Sequence, residues 1–389
     1  MKVMPRTLLS SLLLLAMGGA LAAETPTTLP SAANTTPATA ASSPAAAAAT
    51  SLPGQGVATV QSQGDDRYVV TLNTLHMGTL INIKTYGKSS EEAQRYAQKA
   101  DELASQYDDL LTVHRESPLM AVNEHSGEKV AVPAEIAELV RRSVDIAALS
   151  NGAFEPTIGT LVNVWKIGFG GEHVPSSDAI RAAVKTVDYR QVKVGKLDDG
   201  RDYVQIGKGQ SLDLGGSAKG FIGEKMQEVL EKEGLTQGIL SLGGNVVAMG
   251  TRPDGTPWRI GLQHPDEERN AYFGYVLATD ESVITSGAYE RYFVENGHRY
   301  GHILDAKTGQ PVKTDVASVS IAAKDGTLAD GLCTALFAMG WEKSMQFLKK
   351  HPDMKIVLLN ADMKTVAVTP SAKKVFVLTD KAMTVKEIQ

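Results

Sequence analysis

The chain has 389 residues, of which 43% are hydrophobic and 21% are charged, and its 44 acidic side chains outnumber its 39 basic ones. The formal net charge of −5 and the scattered positions of the lysines and arginines argue against a nucleic-acid partner. Cys333 is the only cysteine, which excludes a disulfide within the chain.

The N-terminus has the pattern of a secretory signal peptide over residues 1–22. Lys2 and Arg6 precede an apolar run at 8–17, and Ala20-Leu-Ala22 offers small residues for cleavage. The apolar run is too short to span a bilayer, although a permanent anchor helix is the alternative. No cysteine lies near the cleavage site, so we expect a soluble protein that is periplasmic or otherwise exported.

Residues 23–64 consist mainly of alanine, threonine, proline and serine and carry almost no charge. Such a segment cannot bury a core, so we predict a disordered tether there. Residues 65–389 remain for the folded part, which is long enough for one large domain of two lobes.

Periodicity separates the folded part into helices and strands. Helices are predicted at 91–111, 133–150, 177–186, 223–232, 328–339 and 342–351. Strands are predicted at 67–74, 79–86, 203–206, 211–214, 238–242, 246–249, 258–262, 274–278, 282–285, 316–323, 355–360 and 365–368. The strands cluster instead of alternating strictly with helices, which favours an α+β fold with mixed or antiparallel sheets and packed helices.

One segment combines a carboxylate, several glycines and a lysine: Asp213-Leu-Gly-Gly-Ser-Ala-Lys-Gly220. It lies between a predicted strand at 203–206 and a predicted helix at 223–232. Glycine lets backbone groups approach a ligand closely, and a helix N-terminus attracts phosphate. A tight strand-to-helix turn without a ligand is the alternative. The pattern Gly-x-x-x-x-Gly-Lys-Ser/Thr is absent, so this segment is not a P-loop.

Asp330 and Thr334 lie four residues apart in the predicted helix 328–339, so their side chains share one face. Carboxylate and hydroxyl oxygens suit a hard cation such as Mg²⁺, which uses substrate phosphates and waters as further ligands. Without a metal, Asp330 would complement the helix dipole and Thr334 would bond back to the helix backbone. The spacing alone leaves both interpretations open.

Six further motifs accompany the segment 213–220. They are Met77-Gly-Thr79, Gly152-Ala-Phe-Glu-Pro-Thr-Ile-Gly159, Ser241-Leu-Gly-Gly-Asn245, Thr285-Ser-Gly-Ala-Tyr-Glu290, Gly301-His-Ile-Leu-Asp-Ala-Lys-Thr-Gly309 and Ala329-Asp-Gly-Leu-Cys-Thr334. In this order and spacing they resemble the ApbE family, the FAD:protein FMN transferases. The resemblance covers residues 74–368, and it implies an ApbE-like flavin transferase domain over 65–389.

The resemblance also implies ligands for individual residues. FAD contacts are implied for Met77, His114, Ala153, Phe154, Glu155, Asp213, Lys219 and Leu304. One Mg²⁺ ion is implied at the side chains of Asp330 and Thr334 and the backbone carbonyl of Gly216. Some family members have Asp at the position of Cys333, but a thiol is a poor Mg²⁺ ligand, so we leave Cys333 outside the metal site.

Two positions depart from the usual family pattern. Glu155 stands where the family commonly has Asp, which lengthens the side chain by one methylene. His114 stands where the family usually has Tyr near the flavin. Histidine can also stack but can become protonated, which could shift the balance between FMN transfer and FAD hydrolysis. A solvent-facing loop histidine is the alternative for His114.

His302 is the candidate general base, because it follows a hydrophobic-aromatic strand and imidazole titrates near neutral pH. A structural histidine that hydrogen-bonds the following turn is the alternative. We expect Thr285-Ser286-Gly287 to bound the same pocket.

These features together favour a Mg²⁺-dependent transferase that moves FMN from FAD to a Thr or Ser hydroxyl and releases AMP. The family's acceptor motif, Asp-x-x-Ser/Thr-Gly-Ala-Thr, is not found in this chain, so the acceptor should be a separate flavoprotein. The alternatives are an FAD pyrophosphatase that yields FMN and AMP, or a periplasmic FAD-binding protein. A structural surface protein would leave the motifs unexplained.

Overall fold

The computed structural model describes residues 48–51, 56–64, 67–268, 271–287 and 291–388, and they belong to one compact unit. The predicted signal peptide lies outside these residues, as does most of the predicted tether. Within the described ranges, no helix has the length and apolarity needed to cross a membrane.

The predicted long helices are present, and side chains cap several of them. Ser89 accepts a hydrogen bond from the N–H of Glu92 at the start of the first helix, and Asp325 accepts one from Leu328 at the start of the seventh. The helices are α1 (Ser90–Leu111), α2 (Pro118–Glu124), α3 (Ala134–Leu149), α4 (Gly159–Trp165), α5 (Ser177–Val184), α6 (Gly215–Lys232), α7 (Gly326–Met339), α8 (Trp341–Lys350) and α9 (Pro370–Lys373).

Strands make up most of the remaining regular structure. They are β1 (Ala48–Ser51), β2 (Val57–Ser62), β3 (Tyr68–His76), β4 (Thr79–Gly87), β5 (Val130–Ala131), β6 (Lys193–Lys196), β7 (Asp202–Gln205), β8 (Gly238–Leu242), β9 (Asn245–Met249), β10 (Trp258–Gln263), β11 (Tyr272–Ala278), β12 (Glu281–Gly287), β13 (Tyr292–Glu295), β14 (His298–Gly301), β15 (Val316–Ala323), β16 (Lys355–Asn360), β17 (Thr365–Val368), β18 (Phe376–Leu378) and β19 (Thr384–Glu387).

One large sheet organises the molecule. Its strand order is β1-β2-β3-β4-β8-β9-β12-β15-β16-β17-β19, and neighbouring strands are antiparallel except β17 and β19. Smaller sheets have the orders β10-β11-β18 and β5-β7-β6, and β13 pairs with β14 as a hairpin. The α+β prediction with mixed and antiparallel sheets in one large domain is therefore confirmed.

The central strands of the large sheet are buried on both faces. Along β16, Ile356 and Leu358 pack into the same hydrophobic cluster as α7, whereas Val357 and Leu359 pack against the small sheet β10-β11-β18. Helices α1 and α6 cover the same face as α7, over β3, β4, β8 and β9. This layering explains why the strands are rich in apolar residues at successive positions instead of alternating.

The glycine-rich segment differs from its prediction. Residues 211–214 do not form the predicted strand; the described structure has only an isolated bridge between Ser211 and Ile158, and Leu212 and Leu214 are buried. Helix α6 begins at Gly215 instead of residue 223, because the N–H groups of Ser217 and Ala218 bond to the carbonyl of Leu214. Tertiary contacts override the low helix propensity of glycine here.

The prediction of a disordered tether is wrong for residues 57–62, which form β2. This strand pairs antiparallel with β3 along its whole length, and Ala58 is fully buried in the core beneath α1. The strand β1 in turn pairs with β2. A short apolar strand is stabilised here by an existing sheet edge, which composition alone does not reveal.

Candidate functional site

A cleft of about 1450 Å³ lies where the turns of the large sheet meet α6 and α7. Small-molecule sites usually measure about 300–1,000 Å³, so this cleft is larger than an ordinary small-molecule site. The predicted site residues that line it are Met77, His114, Phe154, Glu155, Asp213, Gly216, Lys219, His302, Leu304, Asp330 and Thr334. Ala153 packs against the core cluster that contains α7 and is not part of the cleft lining as far as the structure is described.

The floor of the cleft is the crossing of α6 and α7. The two helices touch through glycine backbone, since a Cβ on Gly220 would overlap the carbonyl oxygen of Gly326 and lie 2.9 Å from Cβ of Asp330. The N–H of Gly220 donates to Oδ2 of Asp330 at 2.9 Å. Glycine at this crossing therefore brings the Asp330 carboxylate to the first turns of α6.

Gly216, Thr334 and Asp330 lie together at this floor, and the Thr334 hydroxyl donates to the backbone carbonyl of Asp330 at 3.4 Å. Gly216 lies against α7, and a Cβ on it would stand 3.2 Å from Oγ1 of Thr334 and 3.1 Å from Cε2 of Phe154. The absence of a side chain thus keeps a gap between the α6 backbone and the Thr334 hydroxyl. Asp330, Thr334 and the Gly216 carbonyl offer only oxygen, which fits Mg²⁺. Across the described ranges, no group of three or more His, Cys, Asp or Glu side chains forms the alternative kind of metal site.

An unsatisfied amide lines the same space. Asn245 is buried at the end of the β8–β9 turn, and its Nδ2 makes no well-formed hydrogen bond to the described part of the chain, although its side chain lies near enough to the Asp330 carboxylate to lower the pKa of that group. A buried donor without a partner costs about 1–3 kcal/mol. A ligand oxygen would remove this cost, so the amide supports an anionic ligand at this place.

The charges around the floor favour an anion as well. Lys219 and Arg291 both line the cleft, and neither pairs with a carboxylate of the described residues. Burial raises the pKa of Asp330, and the positive charge of Lys219 opposes that rise. The negative charge of a diphosphate would balance the positive charges of Lys219 and Arg291.

His302 directly follows β14, and the carbonyl of Arg291 holds both its ring and its backbone N–H. Its Nδ1 lies 3.2 Å from the carbonyl oxygen of Arg291, and a carbonyl only accepts, so Nδ1 carries the proton and Nε2 is the basic nitrogen. Burial, aided by the charges of Lys219 and Arg291, lowers the pKa of His302 from 6.5 to about 4. The imidazole is therefore neutral at neutral pH and can accept a proton at Nε2.

Glu155 is a buried carboxylate with internal partners. Its Oε1 accepts from the N–H and the hydroxyl of Thr157, at 2.9 and 2.7 Å, and its Oε2 accepts from the N–H of Tyr189 at 3.2 Å. Burial raises its pKa, and these hydrogen bonds oppose that rise. Glu155 therefore shapes the wall of the cleft by fixing the turn at Pro156.

Two tight turns also line the cleft. Met77 has a φ of 54° and Gly78 a φ of 65° in the β3–β4 turn, and Gly243 and Gly244 also have positive φ in the β8–β9 turn. Left-handed backbone is costly for a side chain such as methionine and is enriched at functional sites. The first turn thereby presents Met77 to the cleft.

The rim contains a stack that the sequence did not predict. The rings of His114 and Phe169 lie 4.2 Å apart at 37°, and the guanidinium of Arg291 lies 5.2 Å from the Phe169 ring. Asn245 is the last residue of the motif at 241–245, and Arg291 directly follows the motif at 285–290. Phe169 belongs to no motif and lies between two glycines. The only available signal for Phe169 was an aromatic residue in a glycine-rich loop.

Two other predictions concern residues near the floor. Thr285, Ser286 and Gly287 line the cleft, while the rest of their motif, residues 288–290, lies outside the described residues.

Cys333 is fully buried, donates to the carbonyl of Ile284 and packs in the core, and burial raises its pKa well above the usual range. It is thus a core thiol, in keeping with its omission from the metal site.

Comparisons with known proteins agree with this architecture. The model of the ApbE family matches residues 77–358. An FAD:protein FMN transferase of Treponema pallidum is 35% identical over 318 residues, covering 78% of this chain and 88% of the relative. One from Klebsiella pneumoniae is 33% identical over 308 residues, covering 78% of this chain and 93% of the relative.

Solved structures show the same fold. The ApbE protein of Thermotoga maritima superposes with a TM-score of 0.71 at 30% identity, covering 79% of this chain and 99% of that chain. The flavin transferase ApbE of Vibrio cholerae superposes with a TM-score of 0.68 at 28% identity, with the same two coverages. This chain belongs to the ApbE family.

Proposed function

We propose that this protein is a Mg²⁺-dependent FAD:protein FMN transferase that attaches FMN to a Thr or Ser of a separate flavoprotein and releases AMP. The observation that carries the proposal is the convergence in one cleft of a neutral His302, the buried Asp330, and Lys219 and Arg291, two cations that form no ion pair with a carboxylate of the described residues. This set supplies a base, charge for a diphosphate and an anchor for a cation.

The reaction uses His302 as the proton acceptor. The acceptor hydroxyl oxygen attacks the phosphorus of the FMN half of FAD, and its proton passes to Nε2 of His302. A new oxygen–phosphorus bond forms, and the bond from that phosphorus to the bridging oxygen breaks. AMP leaves with the bridging oxygen, so the diphosphate is divided without oxidation or reduction.

Asp330, Thr334 and the Gly216 carbonyl would hold the Mg²⁺ ion. When bound, the ion would neutralise charge that develops on the phosphate oxygens. Lys219 and the Asn245 amide would contact the same oxygens from the protein side, because both line the floor beside Asp330.

Met77, Phe154 and Leu304 would form the apolar surroundings of the flavin, and Asp213 would contact FAD at the start of α6. Asp213 is held there by the N–H of Gly215, which donates to its Oδ1 at 2.8 Å. Ala153 and Glu155 would act on FAD only through the wall they support. His114 would contact a ring of FAD at the rim.

The acceptor would carry Asp-x-x-Ser/Thr-Gly-Ala-Thr and share the compartment of this protein. The predicted signal peptide directs the chain to the periplasm or another exported location, and the absence of a cysteine near the cleavage site favours a soluble form. An exported redox protein is the corresponding acceptor class.

The test is to incubate the protein with FAD, Mg²⁺ and a small domain that carries the acceptor motif, and then to measure the mass of that domain. A gain of one FMN is expected, and an acceptor with Ala in place of the modified Thr should gain nothing. Free FMN and AMP without a mass gain would identify a pyrophosphatase instead. FAD that stays bound and intact would identify a binding protein.

A further inference from the structure

One carboxylate of α6 is bonded to two other helices. Glu224 lies one turn after Gly220, and its side chain is 11% exposed. Its Oε1 accepts a hydrogen bond from the N–H of Thr327 at 2.9 Å, and its Oε2 accepts one from the Thr327 hydroxyl at 3.1 Å. The two terminal nitrogens of Arg142 on α3 donate to the same carboxylate at 2.7 and 3.1 Å. Glu224 therefore receives four hydrogen bonds from α3 and α7.

Arg142 extends this contact to the start of α7. Its Nη2 also donates to Oδ1 of Asp325 at 2.6 Å, and Asp325 caps α7 by accepting from the N–H of Leu328. Bidentate pairs of arginine and carboxylate are among the strong hydrogen bonds of proteins, and they fix orientation. The result is a clamp of four residues: Arg142, Glu224, Asp325 and Thr327. No residue of the clamp lines the cleft as far as the structure is described, so the clamp acts on the cleft through the helices.

The clamp lies one helical turn from the candidate metal residues. Gly220 and Glu224 are four residues apart on α6, and each shares a face of that helix with the other. The same holds for Thr327 and Asp330, which are three residues apart on α7. The N–H of Gly220 bonds to Asp330 and the Glu224 carboxylate bonds to Thr327, so the two helix faces are joined at two successive turns. One such contact would let α7 turn about it, whereas two fix both its rotation and its axial position.

We infer that Glu224, held by Arg142, is a positioning residue for the Mg²⁺ site, because it sets where α7 presents Asp330 and Thr334 to the backbone of α6. This inference rests on the proposed function. Partners that orient the ligands of a metal typically contribute about tenfold to a hundredfold to metal affinity. A clamp that served only the fold would contribute to the free energy of unfolding and leave the Mg²⁺ affinity unchanged.

The test compares Glu224→Gln with the wild type in the mature protein, by calorimetric titration of Mg²⁺ into the FAD complex. Glutamine keeps the size of the side chain, but its Nε2 would face the donors of either Thr327 or Arg142. We expect the Mg²⁺ affinity to fall on the order of tenfold. The FAD affinity measured without Mg²⁺ should stay unchanged, because Glu224 lies outside the cleft lining. Arg142→Lys is the second variant, because lysine cannot hold Glu224 with two nitrogens, and it should weaken Mg²⁺ binding as well.

Glu281→Gln is the matched control. Glu281 is also a buried carboxylate, its Oε2 pairs with Nζ of Lys355 at 2.6 Å, and it lies outside the cleft lining. This variant should lower the free energy of unfolding, measured by urea denaturation, without changing the Mg²⁺ affinity.

Unchanged Mg²⁺ affinity in Glu224→Gln, or in Arg142→Lys if the first variant does not fold, would overturn this inference and leave the proposed function standing. An equal loss of Mg²⁺ affinity in Glu281→Gln would also overturn it, because lower stability alone would then explain the effect. A wild-type FAD complex that takes up no Mg²⁺ would overturn both this inference and the Mg²⁺ dependence of the proposed function.

Discussion

At the floor of the cleft backbone packs on backbone, whereas at the rim side chains pack on side chains. Gly220 and Gly326 let α6 and α7 touch, and the N–H of Gly220 fixes Asp330. At the rim, His114 and Phe169 contact each other while Phe169 remains half exposed. The floor therefore admits a single arrangement, and the rim can change with the substrate.

The two buried carboxylates of the cleft differ in the same way. Glu155 accepts three hydrogen bonds from the turn beside it, whereas Asp330 accepts from the N–H of Gly220 and lies close to the Lys219 charge and the Asn245 amide. Burial raises the pKa of both groups. Glu155 is satisfied by the fold, and Asp330 retains capacity for a ligand.

Gly220→Ala should have the largest effect, because the new Cβ would overlap the Gly326 carbonyl and push α6 from α7. We expect a loss of about 2–3 kcal/mol in the free energy of unfolding, measured by urea denaturation, and a loss of FMN transfer. Gly215→Ala is the control, since Gly215 is exposed and its Cβ would meet only the Asp213 carboxylate. Equal stability of both variants would contradict the close helix crossing.

Asp330→Asn should separate function from stability. The amide oxygen can still accept from Gly220, so the fold should persist, while transfer should fall at least about a thousandfold as the cation is lost. Because the pKa of Asp330 is raised in the folded state, the protonated carboxyl stabilises the ligand-free fold relative to the ionised one. The contribution of this protonated form to stability is lost as pH rises and the carboxyl ionises. Asparagine should therefore be more favourable at pH 7 than at pH 4, as judged by urea unfolding of both proteins. A stability difference between variant and wild type that favours Asn less at pH 7 than at pH 4 would contradict this interpretation.

His302→Gln should lower the transfer rate by about a hundredfold to ten-thousandfold, because the base is lost. In the wild type, kcat/KM should fall on acidification with a pKa near 4 instead of 6.5, since the folded pKa is lowered to about 4. The same shift makes stability rise with pH between about 4 and 6.5. An acid limb near 6.5 would show that the imidazole is solvated during catalysis.

Glu155→Gln should affect stability more than chemistry. One of the three donors would face an amide nitrogen instead of a carboxylate oxygen, so we expect a loss of about 1–3 kcal/mol in unfolding free energy. The FAD affinity should change little. A strong loss of FAD binding with normal stability would show that Glu155 contacts FAD directly.

His114→Tyr should have the smallest effect, because tyrosine can also stack on Phe169. We expect unchanged stability and a change of a few-fold at most in the ratio of transferred FMN to free FMN, measured by chromatography after incubation with FAD and acceptor. The result decides whether the histidine at this position adjusts the balance between transfer and hydrolysis.

The floor and the rim also differ in how far the sequence predicts them. Helices such as α1 are predictable because Ala93, Ala97 and Ala100 recur at helical spacing. The floor residues are predictable because their motifs resemble those of the family in order and spacing. The start of α6 was missed because two glycines oppose a helix until α7 and the core hold them. Phe169 was missed because its contacts are with His114 and Arg291, which are distant in sequence.

The most direct test of the account is a quantitative product analysis of one reaction of the mature protein with FAD, Mg²⁺ and excess acceptor. The account predicts one AMP released for each acceptor that gains one FMN, with both products absent when Asp330→Asn replaces the wild type. AMP released in step with free FMN, and no modified acceptor, would contradict FMN transfer as the function of this cleft.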